Sequence, residues 1–208
     1  GRVDLGVGKA PGGLPLATRA LQQGIHQHEK GSFAEQLTQL DNWLTLTESQ
    51  GEESLRATPI PPRRADGFLL GASVDSARLA ARLDWNFVFA AHLNGDKNLL
   101  REVLTNWREL SRREVIVAVQ VIVAQDAASA AELAKQVEVW GVELANGQRV
   151  TVGSEAQAAA FARQAGSPPT RIERRESSLL FGTAEEVKAQ LDALQAQWGI
   201  DEFIIDTP

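Results

Sequence analysis

The chain has no cysteine, no methionine and no tyrosine in 208 residues. Without cysteine there is no disulfide framework and no thiolate metal site, which fits a reducing compartment. Histidine is scarce too, with three residues. Two of them, His26 and His28, form an H-x-H pair with no third ligand nearby in sequence, a spacing more often met in a solvated loop than at a metal. Long apolar runs are missing. The longest apolar-rich stretch, Val115 to Ala124, is interrupted by Gln120 and reaches about half of a membrane span, so it reads as a buried strand and no membrane partner is expected. An excess of basic charge is also missing. The net charge of −6 and pI near 5.2 argue against nucleic acid or an anionic bilayer as partner, since both select basic surfaces. No P-loop, nucleophile elbow or zinc motif occurs. Gly6-x-Gly8 lacks the third glycine and the following helix of a dinucleotide fingerprint. The opening residues lack the pattern of a secretory signal peptide, and a cytoplasmic location is expected.

What is present is a periodic pattern. At 43% apolar the chain can bury a core, and one domain over residues 1–208 is expected. Val3, Leu5 and Val7 alternate as in a strand, which runs into glycines and the turn Pro11-Gly12, with the cation Lys9 at the strand end. Phe33, Leu37, Leu40 and Leu44 have helical spacing. Residues 14–32 read as loop, and residues 51–66, polar and Pro-rich, read as a connection rather than a lid. Strand and helix then alternate: a strand at 67–71, a helix at 74–83, a strand at 86–91 and a helix at 99–110. A strand at 115–124 follows, then a helix at 127–140 behind the N-cap Asp126. Residues 155–164 read as helix between flanking loops, with Arg171, Arg174 and Arg175 as a basic cluster in one of those loops. Thr183-x-x-Glu186 is a capping box before a last helix, and 200–205 is a last strand. Such repetition means parallel strands joined by right-handed crossovers. Periodicity does not separate a closed barrel from an open doubly wound sheet.

Two places suggest ligand chemistry. In Leu70-Gly71-Ala72-Ser73-Val74-Asp75-Ser76, a strand ends and a helix starts within three residues. The free N–H groups of a first helical turn, the helix dipole and two hydroxyls make an anion site. On spacing alone, a serine that merely caps the helix is the commoner outcome. His92 ends the aromatic strand, a position more often structural than catalytic.

The segment from Gly1 to Gly12 resembles the fourth-strand motif of the luciferase-like flavin monooxygenases, with Lys9 where that family usually has Arg. Phe68 to Ala81, with Asn86 to His92, resembles a second block of the same family, with Ala72 where many relatives have Ser or Glu. Phe181 to Val187 and Trp198 to Phe203 resemble its closing segment and read as scaffold. The resemblance implies a (β/α)8 TIM barrel. These residues start at its fourth strand and fall short of the roughly 250 a whole barrel takes, so the barrel is expected to be incomplete here and part of a longer chain. Missing strands would leave unpaired edges, and a homo-oligomer such as a dimer is expected to cover them.

The resemblance implies oxidation of a small organic substrate by oxygen with reduced FMN, the flavin being supplied by a reductase. Deazaflavin-dependent hydride transfer and a non-catalytic flavin-binding barrel are the alternatives. Carried over residue by residue, it puts the flavin phosphate on Ser73 and Ser76 with the backbone N–H groups of Val74 and Asp75. Lys9 then supplies the countercharge. Asp75 is expected to point to solvent or to cap the helix, and His92 is the catalytic candidate, touching the flavin ring or the substrate.

Overall fold

The computed structural model describes residues 3–9, 13–22, 31–45, 59, 61–93, 95–175 and 177–208. The His26–His28 pair, the Pro11-Gly12 turn and most of the 51–66 connection lie outside the described residues. Strand β1 (Asp4–Gly8) is followed by helices α1 (Pro15–Gln22) and α2 (Phe33–Thr45). Three strand–helix units follow: β2 (Asp66–Gly71) with α3 (Val74–Arg82), β3 (Asn86–Ala90) with α4 (Lys97–Leu110), and β4 (Ile116–Val123) with α5 (Ala127–Ala134). Next come β5 (Val139–Leu144), β6 (Arg149–Val152), α6 (Glu155–Gln164) and β7 (Pro169–Arg175). The chain closes with β8 (Leu180–Gly182), α7 (Ala184–Trp198) and β9 (Glu202–Asp206).

Strands β1, β2, β3 and β4 lie side by side in that order, all parallel, and curl into half of a barrel. The far edge of β4 is shared end to end. Residues 116–120 pair with β9, and 121–123 pair with β8, again in parallel. Period two decides which face each side chain takes. Leu69, Phe87, Phe89, Val117 and Val119 lie under the helices, in one core with Leu79, Leu104 and Trp107. Phe68, Leu70, Val88, Ile116 and Ala118 belong to a separate cluster on the inner face. Trp107 is fully buried, stands 5.5 Å from the Phe87 ring and donates its indole N–H to the Glu114 carbonyl. The helical spacing of Leu100, Val103, Leu104 and Trp107 buries all four on one face of α4.

Helix starts follow the polar residues in front of them. Ser73, Asp96, Asp126, Ser154 and Thr183 are all N-caps in extended backbone, and Thr183 with Glu186 forms the capping box its spacing predicts. At α5, the backbone N–H and the hydroxyl of Ser129 donate to the two oxygens of Asp126 at 2.8 and 2.9 Å. The backbone bond above all, then the hydroxyl, holds this carboxyl below its ordinary value. Its contribution is complete above the unfolded carboxyl value of about 3.9 and is lost as pH falls through the lowered one. The stability gap between wild type and Asp126→Ala is therefore expected to narrow as pH drops below about 4. Urea midpoints measured across that range check it; a gap independent of pH would show that the ionised carboxylate contributes nothing.

The structure corrects the sequence in three places. The helix expected over 127–140 stops at Ala134, and Val139 already begins β5. The loops expected around 155–164 are strands instead: β6, β5 and β7 form a three-stranded antiparallel sheet with its own small core of Val142, Leu144, Ala158 and Phe161. Arg171, Arg174 and Arg175 therefore lie on β7 and not in a loop, where they pair with Glu173 and Glu138. A strand that charged has no apolar alternation to read. The hairpin between β5 and β6 turns through Asn146-Gly147, with Gly147 at φ 82°. The third correction is α1, which occupies part of the 14–32 stretch expected to be loop.

Candidate functional site

The carboxyl ends of β1, β2 and β3 form one rim, and each sequence-predicted residue stands on it. Lys9 is exposed one residue past the Gly8–Leu70 pair that joins β1 to β2. Beyond β2, the Ser73 hydroxyl accepts from the Ser76 N–H at 3.2 Å and lies 3.0 Å from the Ser76 hydroxyl. Two hydroxyls sharing one hydrogen bond leave one O–H proton free to donate outward. The N–H groups of Val74 and Asp75 precede the first intrahelical bond, and no acceptor stands on them among the described residues. Three donors thus converge at the positive end of α3.

The cradle depends on Gly71. A Cβ there would lie 2.6 Å from both Cβ and Oγ of Ser76, so only glycine lets the end of β2 pass this close. Asp75 does not oppose the cradle. Its carboxylate is 93% exposed and pairs with Arg78 at 3.6 Å, within the same helix. A phosphate fits this donor set: two N–H groups and one O–H, a cation at the end of the neighbouring strand, and the Asp75 carboxylate turned away.

His92 sits apart from that cradle, in a short 3₁₀ turn directly after β3. Its Nδ1 is buried without a hydrogen-bond partner. It borders a cavity of about 570 Å³ that neither Lys9 nor the two serines line. This cavity lies on the helix side of the sheet, between Phe89, Val117 and Val119 on the strands and Leu100, Leu194 and Trp198 on α4 and α7. The buried Trp198 Nε1 likewise has no partner. Arg101 stands 5.6 Å over the Trp198 ring, and Arg108 donates to the carbonyls of Trp198 and Gly199, so α4 is tied to the end of α7. Lys97, Arg175 and Trp198 carry no motif. Sequence reading missed them at this site because they come from three elements far apart in the chain. Among the described residues no group of three or more metal-ligating side chains comes together, and no helix is long and apolar enough to cross a membrane.

Comparison with known proteins fits this architecture. The chain is 35% identical to the N-acetyl-S-alkylcysteine monooxygenase of Bacillus subtilis, over 100% of this chain and 64% of that protein. It is 25% identical to a luciferase-like monooxygenase of Escherichia coli, over 99% of this chain and 62% of the relative. The chain thus spans a little under two thirds of the length of these relatives. Among solved structures, apo-MsnO8 superposes with a TM-score of 0.63 at 21% identity, covering 100% of this chain and 62% of the other. The oxygenating constituent of 3,6-diketocamphane monooxygenase from Pseudomonas putida, a type II Baeyer-Villiger monooxygenase in complex with FMN, gives 0.51 at 15% identity over 96% of this chain and 63% of that one. Both share the fold. A family model described as luciferase-like monooxygenase matches residues 1–202, and the chain belongs to that family.

Proposed function

We propose that this chain forms the flavin-phosphate side of an FMN-dependent monooxygenase acting on a small organic substrate. The observation that carries the reading is the donor cradle at Gly71, Ser73 and Ser76, with the exposed cation Lys9 at the end of the neighbouring strand. The backbone N–H groups of Val74 and Asp75 and the free serine proton donate to phosphate oxygens, while Lys9 offsets their charge. Hydrogen bonds to a charged group contribute about 1.5–3 kcal/mol each. When bound, reduced FMN supplies the electrons that activate oxygen, one oxygen atom entering the substrate and the other leaving as water. The protein orients the flavin and shields it from water; His92 is our candidate for the ring or substrate side.

FMN is favoured over a deazaflavin because a protein of the same fold carries FMN. A relative acts on N-acetyl-S-alkylcysteine by name, so a thioether of that type is the first substrate to try. A flavin reductase is the expected source of reduced cofactor. The outer edges of β1 and β9, unpaired among the described residues, favour association with another chain.

The experiment is a titration with FMN, oxidised and reduced, beside riboflavin, which has the ring without the phosphate. Ser73→Ala is expected to weaken FMN about tenfold and to leave riboflavin unchanged. Equal weakening of both would place the phosphate elsewhere. Failure of the folded wild type to bind either redox form of FMN would sink the FMN reading.

A further inference from the structure

We propose that the cavity between α4, α7 and the outer face of β3 and β4 is a second ligand site, separate from the flavin cradle, and that it takes an apolar carboxylate. Its volume of about 570 Å³ lies within the range of small-molecule pockets, about 300–1,000 Å³. Its walls are hydrophobic: Phe89, Val117 and Val119 on one side, Leu100, Leu194 and Ile200 on the other. A fully dry core would have closed over such a space, because packed interiors leave few voids larger than a water molecule.

The polar groups are gathered at one end, where the turn after β3 meets the residues leading into β8. Lys97 has no ion-pair partner among the described residues. Arg175 reaches Glu173 only at 3.6 Å, and that carboxylate is held more closely by Arg171 at 2.6 Å. Asp96, the carboxylate on this rim, accepts from the N–H groups of Asn98 and Leu99 as the cap of α4. The Ser178 hydroxyl donates to the Ala91 carbonyl at 2.7 Å. Lys97 and Arg175 thus stand at the mouth with Asp96 engaged with the backbone and Glu173 held by Arg171, a balance of one net positive charge that selects a single negative one. His92 and Trp198 bring buried ring nitrogens without partners to the same walls. In a protein of net charge −6, a local cationic mouth over an apolar slot distinguishes this site from the general surface.

The occupant is therefore a molecule with an apolar tail along β4 and a carboxylate between Lys97 and Arg175. The cradle at Ser73 and Ser76 is not used, so this inference does not depend on flavin binding.

Calorimetric titrations of the flavin-free protein with octanoate, octanol and acetate test it. Octanoate is expected to bind saturably at one site, octanol more weakly and acetate undetectably, since each lacks one of the two recognised features. The double variant Lys97→Gln, Arg175→Gln, changed only on exposed or part-exposed side chains, is expected to weaken octanoate about tenfold and leave octanol unchanged. Leu194→Trp, which fills the slot, is expected to abolish both. Absence of saturable octanoate binding overturns the proposal, as does octanoate binding that the double variant leaves intact. The double variant decides the matter if Leu194→Trp fails to fold.

Discussion

Trp107→Ala is expected to lower the unfolding free energy by about 3–5 kcal/mol, the usual cost of truncating a buried tryptophan. The residue is 0% exposed, fills the space between α4 and the sheet, and stands 5.5 Å from the Phe87 ring at an interplanar angle of 46°. Its loss removes the dispersion contacts of the indole and leaves a cavity that β3 cannot close, because Phe87 is held in register against Leu69 of β2. Typical domains are stable by about 5–15 kcal/mol, so this one substitution removes a fifth or more of the total. The indole hydrogen bond is the smaller part. The Glu114 residue that supplies the acceptor is exposed, so water replaces the lost N–H. Trp107→Phe is accordingly expected to cost about half as much or less. Urea unfolding followed by circular dichroism measures both. A loss below about 1 kcal/mol for Trp107→Ala would mean that the core under α4 is loosely packed.

Gly71→Val is expected to weaken FMN about a hundredfold, more than any single serine substitution. The new Cβ would lie 2.6 Å from the Ser76 Cβ and Oγ, so the first turn of α3 must move away from the end of β2. That displaces the Ser73–Ser76 pair, now 3.0 Å apart, together with the N–H groups of Val74 and Asp75. Losing about two charge-assisted bonds at 1.5 kcal/mol each gives roughly two orders of magnitude in affinity. Overpacking also costs about 1–3 kcal/mol of stability, so binding is read on protein shown to be folded. Riboflavin separates the two effects. If its binding survives while that of FMN is lost, the damage lies at the phosphate; if both survive, the cradle is not where the flavin is held.

Much of this architecture follows from local pattern. The strands at β1 to β4 and β9 carry apolar alternation or apolar runs, and Ser, Asp or Thr stands at the start of most helices between them. The capping box at Thr183 and the N-cap at Asp126 are formed by residues within four positions of each other, so spacing alone specifies them. The Ser73–Ser76 pair was legible for the same reason. Where the pattern lacked alternation the reading failed. β7 carries Arg171, Glu173, Arg174 and Arg175, because it lies at the edge of a small sheet where charged side chains remain in water. Val137 to Trp140 was read as a continuation of an Ala-rich helix, although its β-branched residues suit the strand that pairs with Arg174 and Arg175.

The sequence by itself determined the order of strands and helices from β2 to β4 and at α7 and β9, their helix starts and the position of the serine pair, since these depend on neighbours along the chain. Tertiary structure alone decided three further things. Gly67 is required because the Trp85 indole lies against its backbone and leaves no room for a side chain. That indole donates to Asp41, which Arg64 also contacts, joining α2 to the sheet through residues 44 and 23 positions away from the carboxylate. The third is the cavity at Trp198, whose walls come from residues between Phe89 and Ile200. Each arises where side chains distant in sequence are brought to one place by strand register and helix packing. No periodicity encodes such convergence, because the energy of burial depends on which surfaces meet and not on the order of residues within either one.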